Sequence, residues 1–236
     1  MKNGRPRVAV LIPVFNERES LPLVVAAIPK AVVDEIVVVD NGSTDGTDAI
    51  ARDLPVRLVR ERRRGYGSAC LAGVEALGGT PPDVLVFLDG DFSDHPDEMP
   101  RLLEAIAEGA DLVIGSRTAG RRERGALAPQ ARFGNVLACL LIRLLYGYRY
   151  TDLGPFRAIR WEAYRRLGME DTDFGWTSEM QVKAVRRGLR VAEVPVSYRR
   201  RVGVSKITGT LAGSLRAGAK ILWTIVRYGI GRSRNI

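Results

Sequence analysis

Histidine and cysteine are nearly absent from this chain of 236 residues. His95 is its one histidine, which excludes most zinc sites built on imidazole and argues against a Ser-His-Asp triad. Cys70 and Cys139 are its two cysteines, and they lie far apart in apolar, helix-like segments. This argues against a disulfide framework and predicts a reducing compartment.

Long apolar runs are missing as well. No run approaches the ~18–20 apolar residues of a membrane-spanning helix. Residues 1–7 are polar, and the apolar run after them has the length of a strand and ends at Pro13, unlike a signal peptide. We therefore predict a cytoplasmic protein that is soluble, or peripheral on the cytoplasmic face of a membrane.

The C-terminal part of the chain lacks acidic residues. Residues 198–236 contain nine basic residues and no acid, whereas the rest of the chain has 27 of each. The whole net charge of +9 therefore lies in this part, which predicts an anionic partner there. The chain has no recognisable nucleic-acid motif, so we do not expect that partner to be nucleic acid.

Strand and helix patterns alternate along the chain. With 46% hydrophobic residues, the sequence predicts a single α/β domain with a doubly wound, mostly parallel sheet in residues 1–207, followed by a helix and tail in 208–236. Strands are predicted at residues 7–13, 34–40, 56–60, 84–88, 110–115 and 189–198, and helices at 21–28, 48–53, 69–77, 102–107, 133–146 and 208–228.

The predicted strand at residues 84–88 ends in carboxylates. Asp89 and Asp91 flank Gly90 at its carboxyl end, where open α/β sheets bind ligands. Two carboxylates suit a Mg²⁺ or Mn²⁺ ion that also binds phosphate oxygens. Two alternatives stay open: a plain strand-ending turn, and a phosphatase with Asp89 as nucleophile and Asp91 as acid/base.

Other nucleotide motifs fail. The pair Gly65 and Gly67 is followed by Cys70 where a dinucleotide fingerprint needs its third glycine, and it does not belong to the first strand–helix unit. No Gly-x-x-x-x-Gly-Lys-Ser/Thr loop occurs either. These absences argue against nicotinamide and P-loop chemistry.

Seven short motifs follow one another along the chain: Pro13-Val-Phe-Asn-Glu17, Asp40-Asn-Gly-Ser-Thr-Asp45, Gly65-Tyr-Gly67, Asp89-Gly-Asp91, Gly115-Ser-Arg117, Asp152-Leu-Gly-Pro-Phe-Arg157 and Gly203-Val-Ser-Lys206. Their order and approximate spacing resemble those of family 2 glycosyltransferases. Within that family they resemble the dolichyl-phosphate (polyprenyl-phosphate) mannosyl and glucosyl synthases. The resemblance extends over nearly the whole chain.

The resemblance implies a GT-A fold with a Rossmann-like nucleotide-binding half, a nucleoside-diphosphate sugar donor of the GDP-mannose or UDP-glucose type, and a divalent cation held by Asp89 and Asp91. It places ten residues around the donor: Pro13, Phe15, Glu17, Asp40, Gly67, Asp89, Gly90, Asp91, Arg201 and Lys206. From the residues alone, Pro13 and Phe15 also fit packing roles, and Asp40 fits a helix cap.

The resemblance also implies a polyprenyl-phosphate acceptor. It suggests Arg117, Arg132 and Asn135 as ligands of the lipid phosphate, with residues 133–146 near the membrane surface. From its pattern alone, that segment is a buried helix. For the alternative of a soluble hydroxyl acceptor we predict Glu179 as the base, against a structural role in the first turn of a helix.

The last helical pattern is amphipathic and basic. One predicted face is apolar and the other carries arginine and lysine, with Trp223 at the border. The pattern fits a helix at a membrane interface or one docked on the domain. The apolar face is Leu211, Leu215, Gly218, Leu222, Ile225 and Val226, opposite Arg216, Lys220 and Arg227.

A further alternative for the function of the chain is a non-catalytic anion-binding module.

Overall fold

The apolar runs of the sequence form the strands of one seven-stranded sheet in the computed structural model, which describes residues 4–203 and 211–230. The strands are β1 Val8–Val14, β2 Glu35–Asp40, β3 Arg57–Arg60, β4 Val84–Phe87, β5 Leu112–Ser116, β6 Arg157–Arg160 and β7 Val191–Pro195. The helices are α1 Leu21–Ala27, α2 Thr47–Asp53, α3 Tyr66–Leu77, α4 Met99–Ala107, α5 Pro129–Tyr146, α6 Trp161–Leu167, α7 Trp176–Arg186 and α8 Leu211–Ile230.

The sheet is mostly parallel, in the order β3-β2-β1-β4-β6-β5-β7. β6 is the exception, because it runs antiparallel to both β4 and β5. The predicted doubly wound α/β architecture is confirmed, but the sequence did not predict β6. Its four residues, Arg-Ala-Ile-Arg, are too few and too polar to stand out as a buried strand.

Both faces of the sheet are buried under helices. Along β1, Ala9 and Leu11 pack on the side covered by α3, α5, α6, α7 and α8, whereas Val8, Val10 and Ile12 pack on the side of α1, α2 and α4. A strand buried on both faces shows a continuous apolar run, which is what made β1, β2 and β4 readable from the sequence.

α5 is half core and half surface. Ala138, Cys139 and Ile142 face the core. The opposite side presents large apolar side chains to the outside: Phe133, Val136, Leu137, Leu140, Leu144 and Leu145. The pattern predicted a buried helix, but only one side of α5 is buried in the structure.

α8 packs on α5 and α7. Ile225 is completely buried, and Tyr146 of α5 donates its hydroxyl hydrogen bond to the Ile225 carbonyl, whereas Trp223 is 61% exposed. The predicted boundary between residues 207 and 208 falls outside the described residues. No helix in the described ranges 4–203 and 211–230 has the length and apolarity needed to cross a bilayer.

We predict that Gly73→Ala destabilises the fold. A Cβ atom at Gly73 of α3 would lie 2.5 Å from Leu11 Cδ1 and 2.8 Å from Val39 Cγ2, so α3 packs on β1 and β2 with no room for a methyl group. Overpacking of this kind lowers the free energy of unfolding by about 1–3 kcal/mol. Urea denaturation measures it.

Gly134→Ala is the matched control, because Gly134 also lies in a helix and no atom of the described residues would stand within 4 Å of the added methyl group. This variant should gain about 0.5–1 kcal/mol from helix propensity. Equal effects of the two substitutions would contradict the packing argument.

Candidate active site

The site lies at one edge of the sheet, where the parallel strands β1, β2 and β4 all end. The loops that leave these ends carry Glu17 after β1, Asp40 at the end of β2, and Asp89 and Asp91 after β4. Carboxyl ends of parallel strands meet at one edge, so the topology brings these acids together.

Asp89 and Asp91 are crowded carboxylates. Desolvation by the surrounding protein and the neighbouring charge of Asp91 raise the pKa of Asp89 to about 7, although Arg201 and Arg117 act in the opposite direction. Tyr66, the first residue of α3, donates a hydrogen bond of 3.2 Å from its hydroxyl to Asp89 Oδ1. The sequence interpretation missed Tyr66, although it stood within a quoted motif.

Each oxygen of the buried Asp91 has its own partners. Oδ1 accepts hydrogen bonds from the backbone N–H of Ser93, at 2.9 Å, and from the Ser93 hydroxyl. Oδ2 lies 3.0 Å from the guanidinium of Arg201. The same guanidinium nitrogen lies 3.3 Å from Glu17 Oε1, so Arg201 bridges Asp91 and Glu17.

This arrangement fits a divalent cation. The charge of Asp91 helps to raise the pKa of Asp89, and a positive ion between the two carboxylates would relieve this repulsion; in this structure a guanidinium already lies at Asp91. No cluster of three or more His, Cys, Asp or Glu ligands occurs in the described part of the chain. A set limited to Asp89 and Asp91 leaves coordination positions for phosphate oxygens, as Mg²⁺ and Mn²⁺ sites of this type require.

Phe15, one of the predicted donor residues, makes a stacking contact. The Arg64 guanidinium lies 3.8 Å from the centre of the Phe15 ring and donates to the Asn41 carbonyl at 2.9 Å. Asp40 is buried, and its Oδ1 accepts from the backbone N–H of Ser43 at 3.0 Å. Pro13 lies within β1. Arg64 is a second residue that the sequence interpretation missed, since its partner is brought close only by the fold.

The glycine pair before α3 meets another loop. A Cβ atom at Gly67 would lie 2.0 Å from the Asp171 carbonyl, and one at Gly65, where φ is +133°, would lie 2.1 Å from the Thr172 carbonyl. Only glycine permits this approach. Ser68 completes the contact with a backbone hydrogen bond of 2.9 Å to the Thr172 carbonyl. The predicted donor residue Gly67 thus holds α3 against residues 171–172.

Arg117 is held in place by Asp152. Its Nε and Nη2 donate to the two oxygens of the fully buried carboxylate, each at 2.8 Å, and its backbone N–H also donates at 2.8 Å. Burial lowers the pKa of Arg117, but the charge and hydrogen bonds of Asp152 outweigh it, so the net shift is upward. Asp152 belongs to one of the seven motifs, but the sequence predicted no role for it. The structure shows that it positions Arg117.

The other two predicted acceptor residues, Arg132 and Asn135, lie on α5. The Asn135 carboxamide accepts from Leu153 N–H at 2.9 Å and donates to the Thr151 carbonyl at 3.3 Å, so both ends already bind the loop that carries Asp152. Arg132 is exposed in the first turn of α5. Phosphate binding by either residue stays a prediction. Lys206 lies outside the described residues.

Glu179 is buried among partners of its own, and its role as base stays a prediction. Its carboxylate is completely buried in the first turn of α7 and accepts from the backbone N–H groups of Glu170 and Asp171 at 2.9 and 2.7 Å. It also binds Lys183 at 2.6 Å and the Tyr228 hydroxyl at 2.8 Å. The alternative, a structural carboxylate at a helix start, agrees with this geometry.

Comparison with known proteins identifies the family. The family model described as Glycosyl transferase family 2 matches residues 9–168. The chain belongs to this family. It is accordingly a hexosyltransferase, and neither the phosphatase nor the non-catalytic alternative is retained.

Relatives of this glycosyltransferase include two with named lipid-linked activities. An undecaprenyl-phosphate mannosyltransferase of Micrococcus luteus is 33% identical over 242 residues, which span 95% of this chain and 99% of the relative. A polyprenol monophosphomannose synthase of Mycolicibacterium smegmatis is 36% identical over 219 residues, which span 86% of this chain and 82% of the relative.

Solved structures agree on the fold. Glucosyl-3-phosphoglycerate synthase of Mycobacterium tuberculosis, solved with Mn²⁺, UDP and glucosyl-3-phosphoglycerate, matches the glycosyltransferase with a TM-score of 0.73 at 25% identity, over 98% of this chain and 83% of that chain. The predicted GT-A fold is confirmed.

We predict that Glu179→Gln damages stability rather than proton transfer. An amide cannot accept from all four donors and leaves Lys183 without the neutralising charge at 2.6 Å. Breaking a buried pair in this way costs about 3–5 kcal/mol of unfolding free energy, measured by urea denaturation. Glu162→Gln, at a 78% exposed acid of α6, is the control and should change stability by less than about 0.5 kcal/mol.

The pH profile of kcat/KM separates the two roles of Glu179. A structural residue leaves the shape of the profile unchanged in the folded fraction of Glu179→Gln. If the variant is as stable as the wild type and loses the acidic limb of the profile, where the rate falls as a base becomes protonated, Glu179 is a base after all.

Proposed function

We propose that this glycosyltransferase moves a hexose from a nucleoside-diphosphate sugar, of the GDP-mannose or UDP-glucose type, to the phosphate of a polyprenyl lipid, with inversion at the anomeric carbon. The observation that carries the proposal is the pair of relatives named for lipid-phosphate acceptors, each aligned over most of this chain. The geometry of the donor and acceptor ends supports it.

At the donor end, Asp89 and Asp91 would hold Mg²⁺ or Mn²⁺. When bound, this cation supplies charge neutralisation for the diphosphate leaving group. Support comes from the crowding of the two carboxylates and from the structural neighbour solved with Mn²⁺ and UDP. Glu17 and Asp40 line the same edge of the sheet, with Phe15 and Arg64 stacked beside them.

At the acceptor end, the chemistry requires positioning more than a base. A phosphate oxygen of the acceptor forms the new bond to the anomeric carbon while the bond from that carbon to the diphosphate oxygen breaks and the nucleoside diphosphate leaves. A phosphate is already anionic at neutral pH, so it needs a fixed cation. Arg117, clamped by Asp152, suits this task. Glu179 already accepts from two backbone N–H groups and binds Lys183, which argues against the alternative of a hydroxyl acceptor with Glu179 as base.

The lipid part of the acceptor has a surface to meet. Large apolar side chains recur at helical spacing along the exposed side of α5. They are Phe133 (71% exposed), Val136 (64%), Leu137 (37%), Leu140 (47%) and Leu144 (72%). This stripe runs for about 16 Å and begins beside the turn that carries Arg132. An apolar stripe with flanking arginines is typical of a helix at a membrane interface. We therefore infer peripheral attachment to the cytoplasmic face of a membrane.

The reaction is tested by nucleoside-diphosphate release from GDP-mannose and UDP-glucose in parallel, with Mg²⁺ or Mn²⁺. One set contains a polyprenyl phosphate in detergent, a second contains 3-phosphoglycerate, and a third has no acceptor. We expect release with one donor only when the lipid phosphate is present. Release that depends on 3-phosphoglycerate and ignores the lipid would overturn the proposed acceptor.

Asp91→Asn is the site control for this assay. It keeps an oxygen for Ser93 but removes the charge, and we expect turnover to fall by about 100-fold or more while the circular dichroism spectrum stays that of the wild type. Turnover within a few-fold of the wild type would place the site elsewhere.

Membrane attachment is tested with the double variant Phe133→Glu/Leu144→Glu. In the wild type, both apolar side chains would enter the membrane interface and stabilise binding there. Replacing them with acids should lower binding to anionic vesicles by at least about tenfold. Leu23→Glu is the control, since Leu23 of α1 is 43% exposed on the opposite side of the sheet. Vesicle cosedimentation measures both, and equal binding of the two variants would contradict the assignment of the α5 surface.

A further inference from the structure

Residues 198–202, here called the strap, lie directly along the carboxylate loop of residues 91–94. Val202 N–H donates to the Asp91 carbonyl at 3.0 Å, and Arg199 N–H donates to the Ser93 carbonyl at 2.9 Å. Asp94 and Tyr198 form an antiparallel bridge between them. These contacts hold the backbone of the strap beside Asp91.

Arg201 of the strap stands where a cation is needed. Ser93 binds Oδ1 of Asp91, so Oδ2 is the oxygen that the loop itself leaves for a cation, and the Arg201 guanidinium lies 3.0 Å from it. The Asp91 and Glu17 side chains are only 10% and 8% exposed. A guanidinium cannot lose its charge, so a divalent ion at Asp91 must displace it.

Unsatisfied atoms gather at the same contact. Both carboxylate oxygens of the buried Asp94, together with Nε of Arg199 and Nε of Arg201, lack a hydrogen-bond partner among the residues that the structure describes. Buried polar groups are nearly always paired, and unpaired ones mark strain or a role in another state. All four atoms lie between the strap and the carboxylate loop, so this contact offers polar atoms to a further ligand.

We propose that Arg201 is an exchangeable counter-ion: it neutralises Asp91 and Glu17 before the donor binds, and it transfers to the donor diphosphate when the metal takes Asp91. This inference rests on the metal–diphosphate site of the proposed function. The exchange predicts that the metal and the donor diphosphate bind cooperatively. Metal alone must displace Arg201 without giving it a new partner, whereas metal with a diphosphate supplies one, so each ligand strengthens the binding of the other.

The exchange is tested by Mn²⁺ binding without turnover, followed by electron paramagnetic resonance of free Mn²⁺, with the full chain alone and with GDP or UDP. In the wild type we expect weak Mn²⁺ binding that the matching nucleotide strengthens. Arg201→Gln should bind Mn²⁺ alone about tenfold more tightly and should lose most of the strengthening by nucleotide, a change within the usual range of coupling between sites. Arg201→Lys keeps the charge and should resemble the wild type.

Arg200→Gln is the matched control. Arg200 is the next residue of the strap, but its guanidinium donates to the Arg124 carbonyl at 2.7 and 2.9 Å, away from Asp91. Arg200→Gln removes one positive charge from the strap, as Arg201→Gln does, but we expect it to bind Mn²⁺ like the wild type. If Arg200→Gln tightens Mn²⁺ binding as much as Arg201→Gln, the effect is one of net charge and the exchange is wrong.

Asp91→Asn separates failure of the exchange from failure of the site. If Asp91→Asn abolishes Mn²⁺ binding and Arg201→Gln leaves both affinity and coupling unchanged, the exchange is overturned while the metal site stands. If Asp91→Asn binds Mn²⁺ like the wild type, the metal site of the proposed function falls and the exchange falls with it. Circular dichroism of each variant confirms that it is folded.

Discussion

Asp89 and Asp91 lie close together at the end of β4, and the surrounding side chains offset the repulsion between them. Two carboxylates in a desolvated setting repel each other, and the protein offsets this with the Tyr66 hydroxyl on Asp89 and the Arg201 guanidinium on Asp91. These compensating groups come from distant parts of the chain, the start of α3 and the strap. The proposed donor site therefore depends on the strap as well as on the nucleotide-binding half.

That assembly continues into the helix layer behind the site. Glu179 binds the backbone of residues 170 and 171, Lys220 of α8 lies 2.8 Å from Asp171, and the carbonyls of residues 171 and 172 press on the glycines that begin α3. Tyr66, which reaches Asp89, is part of the same helix start. A buried network of this kind is stable only when complete. The position of α8 and that of Tyr66 are thus physically linked.

The sequence predicted the architecture because strands buried on both faces have unmistakable apolar runs, as β1, β2 and β4 do. It could not predict β6, whose Arg157 is buried through hydrogen bonds to carbonyls rather than through an apolar pattern. The motifs predicted site roles for Asp89, Asp91 and Arg117. They could not show that Asp152 clamps Arg117, that Arg64 stacks on Phe15, or that Glu179 is buried, because these facts depend on which distant residues the fold brings into contact.

The two parts of the proposed acceptor site are held together by one loop. Asn135 ties α5 to the loop of Thr151 and Leu153, and Asp152 in that loop clamps Arg117, so the exposed apolar stripe and the cationic group share one rigid support. Under the proposed function, a lipid phosphate presents the same two features, an apolar chain and an anionic head, in a fixed relation. A helix surface and an arginine that cannot move independently favour such an amphipathic acceptor over a small soluble one, since preorganisation lowers the cost of binding both ends at once.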